Sequence, residues 1–337
     1  MRPRIVLAAL ACSCAPMLVC AAASATECSG VVSPCIDDDV LWPHAGYARF
    51  EAIGSVDTIA PRQLGFGLVT SYMSRPIVLE LGSAAGTSAR YYAVDNQVDG
   101  TFLWSYGVGE RMELDLALPL TFVQSGLGLA PVVGGSELSN TATRDIRFGF
   151  TYALVPGRES VRSDGAGLAA RFEVSAPTGD RSEFAGEQSG VFAPSLSGEL
   201  RLGEFFAGAE LGARLRPATE LLGARVGTEL VTALGVGLDL LPRDLLSAAV
   251  EAWALPNLVS QDKAIAQGGV LTNQPGGAAL VPSEWQLSLR SASIAKGTVC
   301  VQLGGGGALP WSAEAPVTSP RFRFALGVRW APLDSRP

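Results

Sequence analysis

Hydrophobic and polar residues alternate one by one along several segments of about ten residues. In RMELDLALPLTF, residues 111–122, Leu114 and Leu116 fall on one face, and Glu113 and Asp115 on the other. A strand separates these side chains because its side-chain period is two, whereas a helix would spread them around its whole surface. Similar alternation occurs in 144–155, 167–176 and 320–331.

Applied to the whole chain, this pattern predicts about twelve strands. The predicted strands are 64–73, 91–106, 111–123, 144–155, 167–176, 190–202, 205–216, 226–240, 244–255, 283–293, 298–309 and 320–331.

The predicted connections between these strands alternate in length. The short ones are 107–110, 203–204, 241–243 and 294–297. The long ones are 74–90, 124–143, 177–189, 217–225, 256–282 and 310–319, and only 156–166 is longer than a short turn should be. Outer-membrane barrels have short periplasmic turns and long external loops. We therefore expect an all-β fold, an antiparallel transmembrane β-barrel of about 12 strands over 63–332, with a carboxy-terminal tail at 333–337.

Composition agrees with a chain that lies in a bilayer. Charged residues make up 17% of the chain, whereas soluble domains carry about 25%. After the first 25 residues, no apolar stretch is long enough for a transmembrane helix. A chain without such helices can remain in a bilayer only as a closed barrel, because every backbone N–H and C=O must be paired.

The amino-terminal residues resemble a secretory signal. Arg2 and Arg4 precede an apolar run over 5–20, and Ala23 and Ala25 give a small-x-small cleavage pattern. We expect 1–25 to be a signal peptide; an amino-terminal membrane anchor is the alternative. The expected localisation is the outer membrane of a Gram-negative bacterium.

The segment 26–62 does not share the strand pattern and is predicted to be a periplasmic lead-in or a partial plug. Cys28 and Cys35 could form a disulfide in the oxidising periplasm, which leaves Cys300 unpaired. With both termini in the periplasm, aromatic residues are expected near both membrane interfaces. They are Trp104, Tyr106, Tyr152 and Trp330 at the inner interface, and Phe122 and Trp285 at the outer one.

Enzymatic and metal chemistry finds little support. The only histidine, His44, lies outside the predicted strands, so the wall lacks the base that a Ser-His-Asp hydrolase needs. One histidine and scattered cysteines cannot form a zinc site, and the run 37–39 of aspartates is interpreted as a solvated turn rather than a calcium site. The net charge of -7 argues against nucleic acid as a partner. We expect no catalytic residues, no metal and no cofactor.

The inward-facing charges carry both signs, so they must neutralise one another or line water. By parity they are Glu113, Asp115, Arg147, Arg171, Glu173, Glu199, Arg201, Glu210, Arg214, Arg216, Glu229, Asp239, Glu251, Glu284, Arg290, Arg321, Arg323 and Arg329. Two interpretations stay open: a salt-bridged lumen that braces the wall, and a narrow aqueous pore.

Several blocks resemble the amino-terminal barrel region of large OmpA-family outer-membrane proteins. They are 35–46 (CIDDDVLWPHAG), 95–122, 171–192, 205–243 and 320–332. The outward apolar face of the predicted barrel makes outer-membrane lipid an expected partner. The resemblance implies, in longer members, a periplasmic peptidoglycan-binding domain. This chain reaches Pro337 without one, so peptidoglycan contact is not expected from this chain alone. Trp330, three residues after Gly327, resembles part of the signal read by the barrel-assembly machinery, which is a second expected partner.

The leading functional hypothesis is an integral outer-membrane barrel with a structural or envelope role. The first alternative is a passive channel or transporter for small hydrophilic solutes. The second is a soluble secreted β protein that binds a ligand or a partner.

Overall fold

A computed structural model describes residues 28, 30–82, 88–134, 137–156, 164–242, 245–267, 270–294, 299–311 and 317–331 of the chain. Within these residues, no helix has the length and hydrophobicity needed to cross a membrane. The predicted signal peptide, 1–25, and the predicted tail, 333–337, lie outside the described residues.

Twelve antiparallel strands form one closed barrel. In chain order they are β1 (Leu64–Gly82), β2 (Ser88–Gly107), β3 (Met112–Ser125), β4 (Arg147–Val155), β5 (Gly165–Ser175), β6 (Val191–Leu202), β7 (Phe205–Arg214), β8 (Glu229–Leu241), β9 (Leu246–Ala254), β10 (Ser283–Ile294), β11 (Val299–Ala308) and β12 (Phe322–Trp330). Each strand pairs with the next, and β12 pairs with β1, with Phe66 opposite Trp330. The predicted antiparallel barrel of about twelve strands is confirmed.

Side chains alternate between the outside of the barrel and the lumen. In β12, Phe322, Phe324 and Leu326 are exposed, while Arg323 and Ala325 between them are 1% exposed. The apolar face points outward because the surrounding solvent of such a barrel is lipid, and the polar face points inward.

The alternation breaks where a bulge interrupts the pairing, as it does between β2 and β3. Asp99 lies opposite Thr121 and Val98 opposite Val123, so Phe122 is an extra residue. An extra residue reverses the faces beyond it. Phe122 and Val123 are therefore both exposed, and the next residue, Gln124, is buried.

The two ends of the barrel differ in the length of their connections. At one end, β2 and β3 are joined by 108–111, and β6 and β7 by 203–204. At the other end, connections such as 126–146 and 255–282 are much longer. We call these the short-turn end and the long-loop end.

Part of the structure at the long-loop end departs from the predicted loops. The region predicted as the loop 74–90 is largely a hairpin, because β1 extends to Gly82 and β2 begins at Ser88. The other elements here are a helix at Ala130–Val133, a short strand Ala142–Thr143 paired with β3, and two hairpins, Thr219–Leu221 with Ala224–Val226 and Asp262–Gln267 with Val270–Pro275. Apolar side chains order this region, since Ile77, Val94, Phe184 and Leu221 form one buried cluster.

Candidate functional site in the barrel lumen

The lumen is occupied by the chain's own residues 30–62, which we call the plug. Ile36, Phe50 and Ile53 in this segment are fully buried although they belong to no barrel strand. They pack against inward-facing wall residues, for example Phe50 and Ile53 with Phe206 and Trp253. Most of the segment predicted as a lead-in or partial plug therefore lies inside the barrel, and its exposed residues Gly30 and Arg62 lie at its two ends.

The plug runs from the long-loop end to the short-turn end. Val32 forms a β-bridge with Leu221 in a long loop, whereas Pro61 forms one with Gly107, the last residue of β2. The expectation that both termini lie at the periplasmic end is therefore wrong for the described residues. No periodic pattern marks the plug, because its polar groups are paired by the wall rather than by a regular ladder.

Three wall glutamates pair with the main chain of the plug. Glu251 accepts hydrogen bonds from the backbone N–H groups of Glu51 (3.0 Å) and Ala52 (2.9 Å). Glu210 accepts one from Gly54 at 2.7 Å, and Glu113 accepts one from Ile59 at 2.8 Å. These N–H groups are buried in an irregular segment, so they need acceptors from outside it. Hydrogen bonds to ionised carboxylates are among the stronger ones in proteins.

The aspartates at the top of the plug pair with wall and loop arginines. Asp37 and Asp38 both contact Arg144, with 2.8 Å between Asp38 Oδ1 and Arg144 Nη2. Asp39 Oδ1 lies 2.8 Å from Arg323 Nη2, and Arg323 also pairs with Glu284. The prediction of a solvated acidic turn is wrong here, since Asp38 is fully buried. The described residues contain no cluster of His, Cys, Asp or Glu arranged to hold a metal ion.

Trp42 lies between two guanidinium groups in the upper part of the lumen. Arg214 Cζ lies 4.0 Å from the centre of the Trp42 ring, and Arg147 Cζ lies 4.7 Å from it. Arg214 also donates a hydrogen bond of 2.8 Å to the Val40 carbonyl. Trp42 lines two separate cavities between plug and wall, one of them bounded by His44 and the other by Arg144 and neighbouring residues.

Both ring nitrogens of His44 face carboxylates. Nδ1 lies 3.3 Å from Glu173 Oε2, and Nε2 lies 3.5 Å from Glu210 Oε1. This arrangement favours the doubly protonated imidazolium, which can donate to both sides.

Charged and aromatic contacts continue below His44. Arg49 Nε lies 3.5 Å from Glu199 Oε2, and Arg290 lies over the Tyr47 ring at 4.5 Å. Phe50 lies against the wall where two strands carry glycine. A Cβ at Gly208 would be 2.7 Å from the Phe50 ring, and one at Gly235 would be 2.4 Å from it. The wall therefore leaves room for this ring only because both positions lack a side chain.

Two buried acids lie in the long loops above the lumen. Burial raises the pKa of Asp145 to about 6, although the N–H groups of Glu187 and Gly179 lower it. Burial also raises the pKa of Glu187 to about 7, despite its pair with Arg216. The loops thus share the buried, paired charges of the lumen.

Most residues predicted to line the lumen are buried inside the wall. The buried ones are Glu113, Asp115, Arg147, Arg171, Glu173, Glu210, Arg214, Glu229, Asp239, Glu251, Glu284, Arg290, Arg323 and Arg329. Glu199, Arg201 and Arg216 are half-buried. Arg321 is exposed, contrary to expectation, because it precedes the first residue of β12 and parity holds only within a strand.

Sequence reasoning missed Asp99 and Arg144, which pair at 2.8 Å. Arg144 also binds Asp37 and Asp38 of the plug. Asp99 has the same parity as the buried Thr101 and Leu103, so the strand pattern could have found it. Arg144 precedes β4, where no strand pattern constrains a side chain.

One cysteine of the predicted disulfide, Cys35, lies in the plug. Cys28 and Cys35 are joined, with their Cα atoms 5.5 Å apart. Cys300 is a buried free thiol. The disulfide lies at the long-loop end, since Ser33 between the two cysteines donates a hydrogen bond to the Glu220 carbonyl.

No family model and no curated protein matches the chain. Among solved structures, an outer membrane channel from Pseudomonas putida F1 has a similar fold. Its TM-score is 0.52 at 15% identity, over 82% of this chain and 98% of that one. The translocator domain of the autotransporter NalP from Neisseria meningitidis has a TM-score of 0.37 at 11% identity, over 79% of this chain and 88% of that one. OmpF of Salmonella typhi, in complex with daunomycin, has a TM-score of 0.31 at 10% identity, over 80% of this chain and 97% of that one. The first likeness shows that the chain has an outer-membrane barrel fold.

Proposed function

We propose that the protein is an outer-membrane channel for small hydrophilic solutes, and that its plug closes the channel in the state described above. The observation that carries this proposal is the pairing of Glu251, Glu210 and Glu113 with backbone N–H groups of the plug. If the plug moved aside, Glu251 and Glu113 would lose these hydrogen bonds and face the lumen. Glu210 would keep its wall contacts with Ser197 and Arg171. Unpaired charges in a lumen require water, so displacement would leave a hydrated pore.

The wall arginines support the same conclusion. Arg329 pairs with Glu51 at 2.8 Å, and Arg214 donates to Val40, so both contacts depend on the plug. Twelve strands enclose a lumen between that of a small, side-chain-filled barrel and that of a wide porin. The similar fold of an outer membrane channel is compatible with this function, at the level of the fold alone.

Planar-bilayer recording of the refolded full chain tests the proposal. We expect rare or absent conductance steps from the native protein, and frequent steps from a variant with weakened plug contacts, Glu251→Gln combined with Arg329→Gln. Glu80→Gln is the matched control, because Glu80 forms an exposed ion pair with Arg90 away from the plug. Silence from both the native chain and the weakened variant, with both correctly inserted, would reject a channel.

A structural or envelope role is the second candidate. It is favoured by charged pairs that join wall and loop residues to each other, such as Arg323 with Glu284 at 2.7 Å and Arg216 with Glu229 at 2.8 Å. These pairs brace the barrel whether or not the plug moves. The same recordings separate the two functions, since a purely structural barrel stays silent when the plug is weakened.

Other parts of the sequence interpretation remain predictions. They are signal-peptide export to a Gram-negative outer membrane, contact with lipid and with the barrel-assembly machinery, and the OmpA-family resemblance. The expectations of no enzymatic activity, no cofactor and no nucleic-acid partner also remain predictions.

A further inference from the structure

The amino-terminal end of the plug forms part of the long-loop surface. Ser33 N–H donates to the Glu220 carbonyl at 2.9 Å, and Leu222 N–H donates to the Val31 carbonyl at 3.0 Å. Together with the bridge between Val32 and Leu221, these bonds add 31–33 to the edge of a hairpin between β7 and β8.

The residues that follow are anchored at the same end. Ile36 is fully buried in a cluster with Ile77, Phe184 and Leu221. Ile77 lies beyond Ser74, the last residue of β1 that pairs with β12, and Phe184 lies in the loop after β5. The Cys28–Cys35 disulfide holds the first described residue beside this cluster.

The opposite end of the plug leaves the lumen at the short-turn end. Ile59 shares a buried cluster with Tyr47, Cys300 and Ala331, and Ala331 directly follows β12. The described chain therefore passes through the barrel once as plug before its twelve strands begin. An odd total of passages places its two ends at opposite faces.

We propose that the barrel presents its amino-terminal end to the cell exterior, with the Cys28–Cys35 loop on the outer face of the membrane. Short turns of outer-membrane barrels lie in the periplasm, and the long loops therefore lie outside. Gly30 is exposed and Val31 is half-exposed, so a probe outside the cell can reach this loop. The barrel thus displays its own amino-terminal segment, whether or not the lumen conducts ions.

Epitope accessibility in a Gram-negative host tests this placement on the full chain. One variant carries an epitope directly before Cys28. A second carries it between Ala278 and Ala279, which are exposed in a long loop, and a third between Val108 and Gly109 in a short turn. We expect antibody to bind the first two on intact cells, and to bind the third only after the outer membrane is permeabilised.

The proposal fails if the epitope before Cys28 needs permeabilisation. Two outcomes would show this. In one, only the epitope between Ala278 and Ala279 is accessible on intact cells; in the other, neither long-loop-end epitope is. If an epitope prevents barrel assembly, Val31→Cys labelled with a membrane-impermeant maleimide replaces it. Buried Cys300 serves as the internal thiol that should stay unlabelled in folded protein. Labelling of Val31→Cys on intact cells supports the placement, and labelling only in permeabilised cells overturns it.

Discussion

Arg329 Nη2 lies 2.8 Å from Glu51 Oε2 inside the barrel, and both side chains are at most 2% exposed. This ion pair joins the last strand, β12, to the middle of the plug. Removal of one partner from a buried pair leaves an uncompensated charge and costs about 3–5 kcal/mol.

Glu51→Gln is therefore expected to lower the free energy of unfolding by about 3–5 kcal/mol. Chemical unfolding in detergent micelles measures the change. A double-mutant cycle with Arg329→Gln should show strong coupling between the two positions. Glu80→Gln, in the exposed pair with Arg90, should change stability by about 0–1 kcal/mol. Equal losses from Glu51→Gln and Glu80→Gln would contradict the burial of the first pair.

Closure of the lumen should depend on pH through His44, the only histidine in the chain. Its charged neighbours are Glu173 and Arg171 on β5, Glu210 on β7, and Asp115 on β3. Because both ring nitrogens of His44 face carboxylates, its contribution to plug binding requires the charged imidazolium, which donates to both sides. The contribution is lost when a rise in pH removes one ring proton.

Channel opening, measured by conductance from about pH 5 to about pH 9, should therefore increase with pH. His44→Gln should flatten this dependence, since glutamine does not titrate. A variant that keeps the full pH response would assign it to another group.

Trp42→Ala should enlarge and connect the two cavities that Trp42 lines. Loss of a buried tryptophan costs about 3–5 kcal/mol, and each cation–π contact adds about 0.5–2 kcal/mol. We expect lower stability and a higher basal conductance in bilayers. Trp42→Phe keeps an aromatic ring between Arg147 and Arg214 and should remain closed. Trp311→Ala, at an exposed loop position, should change neither property.

Leu116 and Ala117 separate the lipid face from the lumen face. Leu116 is 42% exposed, so Leu116→Arg should impair membrane insertion by about 2–4 kcal/mol. Parity alone predicts a much milder Ala117→Arg. The structure changes that expectation, because Ala117 belongs to a buried cluster that includes Ala45 of the plug. Ala117→Arg should insert normally yet displace the plug. Membrane fractionation measures insertion, and bilayer recording measures displacement of the plug. If inserted Ala117→Arg conducts no more than the native protein, the contact of this cluster with the plug is contradicted.

The barrel wall was predictable because lipid and lumen impose opposite polarity on successive residues. That constraint holds in β12 from Phe322 to Trp330 without a break. It fails at Phe122, where a bulge adds one residue, and at Arg321, where the strand has not begun. No particular residue type marks the bulge or the start of the strand, so the alternation of polar and apolar residues could not reveal either.

The contents of the lumen were much less predictable. The plug has no period, since its N–H groups pair with side chains such as Glu251 that lie 200 residues away in sequence. In the sequence, its aspartates resemble a solvated turn. Only the folded chain places Arg144 and Arg323 in contact with them. Such pairings depend on the closed wall and cannot be read from local sequence.

The fit of Phe50 against Gly208 and Gly235 has an evolutionary consequence. A homologue that gained a side chain at 208 or 235 would lose the space for this ring, and would need a smaller residue at 50. Substitutions at these three positions should therefore covary across relatives, although they lie far apart in sequence. The wall and its contents would then have diverged as a single unit.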